Sequence, residues 1–282
     1  MGIMGQVGLM RQGARGTVRR TVRGVERLCV AALVLALGAC TLSGLGDGPV
    51  TSGARAQDAE MDSAERTLWA SGVEAESAHN YEQATNAFAN LHNRRPNDIK
   101  VFTAFLRNMR YSGRAMEAVN YTQQHAMHFL GDVAVKFEYG KSQLDAGMKA
   151  DALNTLRDVA SAMPNNWQVH SAIGIAFDSV SRFDDAIAAY RTALTLTPDN
   201  SIVMNNLAIS QAMAGKLQDA INTLERAAAV DRTNTHVRQN LALLYAANGE
   251  SEKAAALAAM DLESGDLEKN LSFYRRFGGG QP

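Results

Sequence analysis

The chain has 282 residues, enough for one or two compact domains or for one elongated array. Apolar residues make up 46% and aromatic residues 6%, which excludes disorder of the whole chain and favours helices packed through small side chains over a strand-rich sandwich. Six of the 28 basic and one of the 29 acidic residues precede Cys40, leaving 22 basic and 28 acidic residues, a balance opposite to that of nucleic-acid-binding proteins.

Residues 1–39 are predicted to be a lipoprotein signal peptide. Six arginines precede an uncharged run of twelve residues, from Leu28 to Ala39. A helix needs about twenty residues to cross a bilayer, so this run is too short. It ends in Leu-Gly-Ala-Cys at residues 37–40, which resembles a bacterial lipobox. The resemblance implies lipidation of Cys40, and an ordinary signal peptide with an incidental cysteine is the alternative.

The residue after Cys40 is Thr41, not aspartate, which in lipoproteins of this type implies transfer to the outer membrane. We therefore expect a chain anchored by lipid at Cys40 on the periplasmic face of the outer membrane. Residues 40–62 contain glycine, serine and proline and show no sustained apolar period, which is typical of a flexible tether.

Residues 63–262 repeat with a period of 34, and glycines and prolines recur in phase with the alanines. The alanines with this spacing are Ala84, Ala118, Ala152, Ala186, Ala220 and Ala254. The pattern resembles the tetratricopeptide repeat, which implies an all-α fold, an α-α superhelix (solenoid) of six helical hairpins with a concave groove. The units are predicted to start at Glu65, Ile99, Val133, Trp167, Ser201 and Thr235.

The recurring small residues predict how each hairpin is built. Glycine or alanine on the first helix and alanine on the second allow the two helices to approach closely. Glycine five residues before the alanine ends the first helix in a left-handed conformation, and proline twelve residues after it stops the second helix. Leu106 replaces a small residue and Leu130 replaces proline, so we expect the second unit to pack more loosely or to tilt.

The chain beyond the repeats is predicted to close the array. Leu267, Leu271 and Tyr274 recur at helical spacing within residues 263–277, and two phenylalanines add a second apolar edge. We interpret this segment as a C-terminal capping helix, which solenoids require, with a partner-binding helix as the alternative. Residues 278–282 are interpreted as a disordered tail.

The sequence argues against an enzyme. It contains neither a nucleophile elbow nor a phosphate-binding loop, and the repeats leave no room for a catalytic domain. His125 and His128, three residues apart on a predicted second helix, lack a third metal ligand. We therefore expect no cofactor, no metal, no small-molecule substrate and no nucleic acid.

Function is expected in the groove lined by the first helices, with a protein as the partner. In the N-terminal half, the candidate residues are predicted to form a cationic face with aromatic anchors: Trp69, Lys100, Arg107, Arg110, Phe137 and Lys141. In the C-terminal half, the candidates are amides that bond a partner's backbone: Asn205, Asn206, Gln239 and Asn240. The alternative for these amides is a role in the repeat itself.

The lipobox, the tether, the uninterrupted repeats and residues 238–249, 261–262 and 270–274 resemble the TadD lipoproteins of the tight adherence (Flp) pilus system. The resemblance covers nearly the whole mature chain. It implies a pilotin-like scaffold that helps the pilus secretin, or another component of that system, to assemble. Two alternatives stay open: a lipid-anchored adaptor for cell-wall hydrolases or proteases, and a structural part of another outer-membrane assembly machine.

Overall fold

A computed structural model describes residues 61–260, which form twelve α-helices, one 3-10 segment and no strand. The helices are α1 (Ser63–Ser77), α2 (Tyr81–Arg94), α3 (Ile99–Tyr111), α4 (Ala115–His125), α5 (Val133–Asp145), α6 (Lys149–Ala162), α7 (Trp167–Ser179), α8 (Phe183–Leu196), α9 (Ser201–Met213), α10 (Leu217–Val230), α11 (Thr235–Ala247) and α12 (Ser251–Ala258). The predicted signal peptide, Cys40, most of the tether, the capping helix and the tail lie outside the described residues.

Consecutive helices pair into six hairpins, which confirms the predicted all-α class of helical hairpins. The chain divides into two compact units, an N-terminal unit that includes residues 61–203 and a C-terminal unit that includes residues 204–260. In each hairpin the odd-numbered helix is called the first helix and the even-numbered helix the second. Five of the six first helices begin at the residue predicted from the period.

Side chains at the helix ends explain where the first helices begin. Asp98, Asp132 and Asn166 accept hydrogen bonds from the free backbone N–H groups of the following helix. At α1, Asp62 and Glu65 form a reciprocal capping box, so the helix begins at Ser63, two residues before the predicted start. Three second helices, α2, α6 and α8, end two residues before a proline, as the period predicts.

All six corners between the paired helices use one left-handed residue. The glycines predicted for this position at 113, 147, 215 and 249 have φ between 77° and 84°. At the two corners without glycine, His79 and Ser181 adopt φ of 58°. A left-handed conformation is unfavourable for residues with a Cβ atom, so these two corners carry backbone strain.

The six periodic alanines are completely buried, as the predicted helix crossings require. The first-helix glycines leave room for a large side chain sixteen residues later. A Cβ atom added to Gly72, Gly140 or Gly174 would lie 2.7, 3.1 or 2.6 Å from Phe88, Leu156 or Tyr190, respectively. Glycine on the first helix therefore admits a ring or a branched side chain from the second helix to the backbone.

The second hairpin departs from this arrangement. Leu106 occupies the position of the small residue, the residue sixteen positions later is Thr122, and both are completely buried. The backbones of α3 and α4 come close to each other at fewer positions than those of hairpins one, three and four, which agrees with the looser packing or tilt expected from Leu106. The segment Met127–Gly131, where proline is missing, forms the 3-10 turn that leads to α5.

α1 lacks an apolar residue that the later first helices share. The third position of the repeat is valine in the five later hairpins, and each of these valines is completely buried. In the first hairpin this position is Thr67, which is exposed.

Candidate partner-binding surface

The first-helix face is the surface of the N-terminal unit that α1, α3 and α5 carry, and it holds all six candidates predicted for this half of the chain. Neighbouring first helices lie side by side, because α3 packs against α5 and an ion pair joins α1 to α3. The candidates differ in exposure: Lys100 is exposed, Trp69 and Arg107 are half-buried, and Arg110, Phe137 and Lys141 are buried.

The Trp69 side chain packs against the core and is also partly exposed at the surface. Its indole meets the Phe88 ring edge-on with centroids 5.4 Å apart, and it packs against the apolar core of the first two hairpins. One turn along α1, Val73 is 43% exposed. Tryptophan that is held by the core yet partly accessible is a typical interface anchor, because little side-chain entropy is lost when a partner covers it.

Arg107 on α3 is paired with Glu76 on α1. Its Nε donates to Glu76 Oε1 at 2.7 Å and its Nη2 donates to Oε2 at 3.0 Å. Asn108 Nδ2 donates to the same Oε2 at 3.1 Å. This two-point geometry holds the first and second hairpins in a fixed register at the face.

Four charged side chains form a cluster of ion pairs between α3 and α5, which we call the charged cluster: Arg110, Glu138 and Lys141, which are buried, and Asp145, whose side chain is 22% exposed. Lys141 Nζ lies 2.7 Å from Glu138 Oε1, and Arg110 lies 3.3 Å from Asp145 and 3.6 Å from Glu138. Only 1% of the Arg110 and of the Lys141 side chain is exposed. The two cations also lie over the rings of Tyr111 and Phe137, at 4.2 and 4.6 Å from the centroids.

The acids change the electrostatic character expected from the sequence. Glu76, Glu138 and Asp145 pair with the predicted cations Arg107, Lys141 and Arg110, so the face carries mixed charge and is less cationic than predicted. Burial raises the pKa of the Asp145 carboxyl, against the lowering effect of the Arg110 guanidinium. The charged cluster therefore fixes the helices, while Lys100, Arg107 and Trp69 remain accessible to a partner.

Sequence reasoning missed the three acids, although their spacing carries a signal. Glu76 precedes Arg107 by 31 residues, and Arg110 precedes Asp145 by 35, both close to the repeat period. Residues one period apart lie next to each other on adjacent first helices. Opposite charges at such spacing predict pairs within the face and not free cations.

In the C-terminal unit, the predicted amides lie on the first helices α9 and α11, and two of them are in contact. Asn240 Nδ2 donates to Asn205 Oδ1 at 2.7 Å. Asn205 and Asn206 are buried, while Gln239 and Asn240 are half-buried. At least one pair of these amides therefore links neighbouring first helices, the role in the repeat that the sequence left open.

The two histidines considered as metal ligands do not share a helix. His125 is the last residue of α4 and His128 lies in the 3-10 segment, so the prediction that both lie on one second helix was wrong. Between residues 61 and 260 no three His, Cys, Asp or Glu side chains are grouped closely enough to hold a metal ion. None of the twelve described helices has the length and apolar character to span a membrane.

Comparison with known proteins agrees with the repeat. The family model described as tetratricopeptide repeat matches residues 137–201 and 171–237. No curated protein matches the chain. Together with the helical hairpins, this match over residues 137–237 supports tetratricopeptide repeats, a fold that generally serves as a non-catalytic scaffold for protein–protein interaction.

Solved structures with the same kind of fold share little sequence with the chain. MamA (residues 41 to the end) from Desulfovibrio magneticus RS-1 is 15% identical, with a TM-score of 0.50 over 64% of this chain and 96% of that one. TTC0263, a thermophilic TPR protein of Thermus thermophilus, is 17% identical, with a TM-score of 0.48 over 74% of this chain and 98% of that one. Identity this low bears on the fold alone.

Proposed function

We propose that the chain is a lipoprotein anchored at Cys40 on the periplasmic face of the outer membrane, where its first-helix face binds a protein during assembly of the tight adherence (Flp) pilus. The proposed partner is the pilus secretin, and the role is pilotin-like. The support is the lipobox at residues 37–40 and the resemblance of residues 238–249, 261–262 and 270–274 to TadD lipoproteins.

The observation that carries the binding proposal is the arrangement of Trp69, Lys100 and Arg107 on two adjacent helices. α1 carries a half-buried aromatic anchor, and the adjacent α3 carries one exposed cation and one partly exposed, hydrogen-bonded cation. This combination suits a segment with an apolar side chain and a carboxylate, because the anchor gives contact area and the cations give orientation. Attachment to the membrane raises the local concentration of the face near an outer-membrane client.

Site-specific photo-crosslinking in native envelopes tests the partner. A crosslinker at Lys100 or Val73 on the first-helix face is expected to trap the secretin. A crosslinker at Met116, which is 47% exposed on the second helix α4, serves as the control and is expected not to do so. Trapping of a cell-wall hydrolase, a protease or another assembly component at the face would replace the secretin proposal with that client.

A charge reversal separates binding from folding. Lys100→Glu places an acid in the first turn of α3, where the helix dipole favours it, so the variant should fold and lose partner capture. Arg191→Glu makes the same kind of change on the exposed part of α8 and should keep capture. Equal capture by wild type and Lys100→Glu would contradict binding through this face.

The anchor is tested independently of the partner. Wild-type chain should incorporate labelled fatty acid and sediment with outer membranes, and Cys40→Ser should do neither while the repeats still fold. Absence of label from the wild type would contradict the lipid anchor and leave the binding proposal to be judged on crosslinking alone.

A further inference from the structure

His92, near the end of α2, is a buried histidine at the junction of the first two hairpins. Only 6% of the residue is exposed. Its ring centroid lies 5.1 and 5.9 Å from those of Phe102 and Phe105 on α3, and 6.0 Å from that of Tyr121 on α4. With Phe129, these residues form what we call the aromatic cluster.

The aromatic cluster lies at the second hairpin, whose two helices approach each other closely at few positions. Phe129 comes from the 3-10 segment and lies 4.9 Å from Phe102 between ring centroids. Tyr121 meets Phe105 edge-on at 5.4 Å. The backbones of α3 and α4 come close to each other at few positions. The side-chain contacts of the aromatic cluster connect these two helices with α2 and the 3-10 segment.

One polar atom in the cluster is unsatisfied. The Nδ1 atom of His92 is buried and has no hydrogen-bond partner among the described residues. The titratable groups nearby are Asp98 at the start of α3, Tyr121 and His125 on α4, and His128 in the 3-10 segment. Asp98 is already hydrogen-bonded to Arg95 and caps α3. A second proton on His92 would therefore bring a charge into an aromatic environment that offers it little compensation.

We propose that His92 is an acid-sensitive latch between the first and second hairpins. Its protonation weakens the aromatic cluster, loosens α4 and the 3-10 segment, and disturbs α3, which carries Lys100 and Arg107. The loosening itself does not require a partner. Its consequence, release of a partner in acid, rests on the proposed function.

The direction of the effect follows from linkage. Burial lowers the pKa of His92 below 6.5, Asp98 acts to raise it, and His128 lowers it further. The unfolded hairpin therefore binds the proton more readily than the folded one. The stabilising contribution of neutral His92 is complete above pH 6.5 and is lost as the pH falls from 6.5 towards the lowered folded-state value.

Hydrogen–deuterium exchange of the full chain at pH 7.5 and 5.5, with labelling times scaled to the intrinsic rates, tests the latch. In the wild type, acid should speed exchange in residues 85–131 severalfold relative to residues 167–196. His92→Phe, which keeps an aromatic ring, should abolish this difference. His92→Gln should also abolish it, even though the loss of ring packing raises exchange at both pH values.

Two further measurements keep the result unambiguous. His236→Gln, at an exposed histidine of α11, should retain the acid response of the wild type. Titration of the His92 ring by NMR should give a midpoint below 6.5. An acid response that persists in His92→Phe, or tighter protection of residues 85–131 in acid, would overturn the latch whether or not the chain captures the proposed partner.

Discussion

The second and fourth hairpins differ in which helix carries the large side chain at the helix crossing. In the fourth, Gly174 on the first helix admits the large Tyr190 ring from the second helix, and Tyr190 Oη donates to Asp178 on that first helix at 2.9 Å. In the second, the large residue is Leu106 on the first helix, and its counterpart is the small Thr122. The fourth hairpin has extensive backbone approach between its helices and the second has little.

The difference also changes what the twelfth repeat position does. Asp178 accepts a hydrogen bond within its own hairpin, whereas Arg110 reaches Glu138 and Asp145 in the next one. In these two hairpins a small residue on one helix faces a large residue on the other, and the helix that carries the large residue differs. Where the hairpin is less closely packed, contacts with its neighbours take over the role of holding it in place.

The largest expected effect comes from breaking the contacts between the second and third hairpins. Arg110→Leu leaves Asp145 without its cation and Glu138 with Lys141 alone, and should lower the free energy of unfolding by about 3–5 kcal/mol. Chemical denaturation followed by circular dichroism measures this. Arg191→Leu, at an exposed position of α8, is the control with little expected change.

Restoring the small residue in the second hairpin should destabilise it. Leu106→Ala matches the pattern of the other repeats, but Thr122 is too small to fill the space that is created. We expect a loss of about 2–5 kcal/mol in the free energy of unfolding. An unchanged midpoint of denaturation would show that Leu106 does not fill the crossing.

Filling the space beside Gly174 in the fourth hairpin should lower the free energy of unfolding by a smaller amount. The Cβ atom of Gly174→Ala would lie 2.6 Å from the Tyr190 ring, so the helices must shift, at a cost of about 1–3 kcal/mol. Gly131→Ala, where a Cβ atom would meet nothing within 4 Å, is the matched control. A thermal melt in which both variants behave alike would contradict the close packing at Gly174.

The smallest effect concerns the left-handed corners. Ser181→Gly should relieve the strain of φ 58° and raise the free energy of unfolding by up to about 1 kcal/mol. Gly147→Ala, at the equivalent corner with φ 79°, should lower it by about 1–2 kcal/mol. The pair of melting temperatures should therefore move in opposite directions, and a shift of both in the same direction would argue against strain.

The 34-residue period predicted the fold well because it depends on residues whose effect is local or recurs in every hairpin. Ala186 and its equivalents, and glycines such as Gly113, mark crossings and corners through their own size and backbone freedom. The start of α1 was missed by two residues, although Asp62 and Glu65 have the spacing of a capping box. The left-handed Ser181 was missed because the corner imposes its conformation on a residue that does not favour it.

The charge and exposure of the candidate surface were predicted less well, because both depend on which residues pair with one another. The sequence placed Arg110 and Lys141 correctly on the first helices but treated them as accessible cations. Their burial depends on Glu138, on Asp145 and on the approach of α3 to α5, none of which a single position reveals. A charge reversal of Arg110 would therefore test folding, whereas Lys100→Glu tests binding.

The central claim, that Leu106 and Thr122 share one space at the helix crossing of the second hairpin, is tested most directly by a double-mutant cycle. Leu106→Ala, Thr122→Leu and the double variant are compared by their free energies of unfolding in urea. The account predicts that the double variant is more stable than the sum of the single changes implies, by about 0.5–3 kcal/mol, because the second leucine refills the space left by the first. Additive single effects would contradict it.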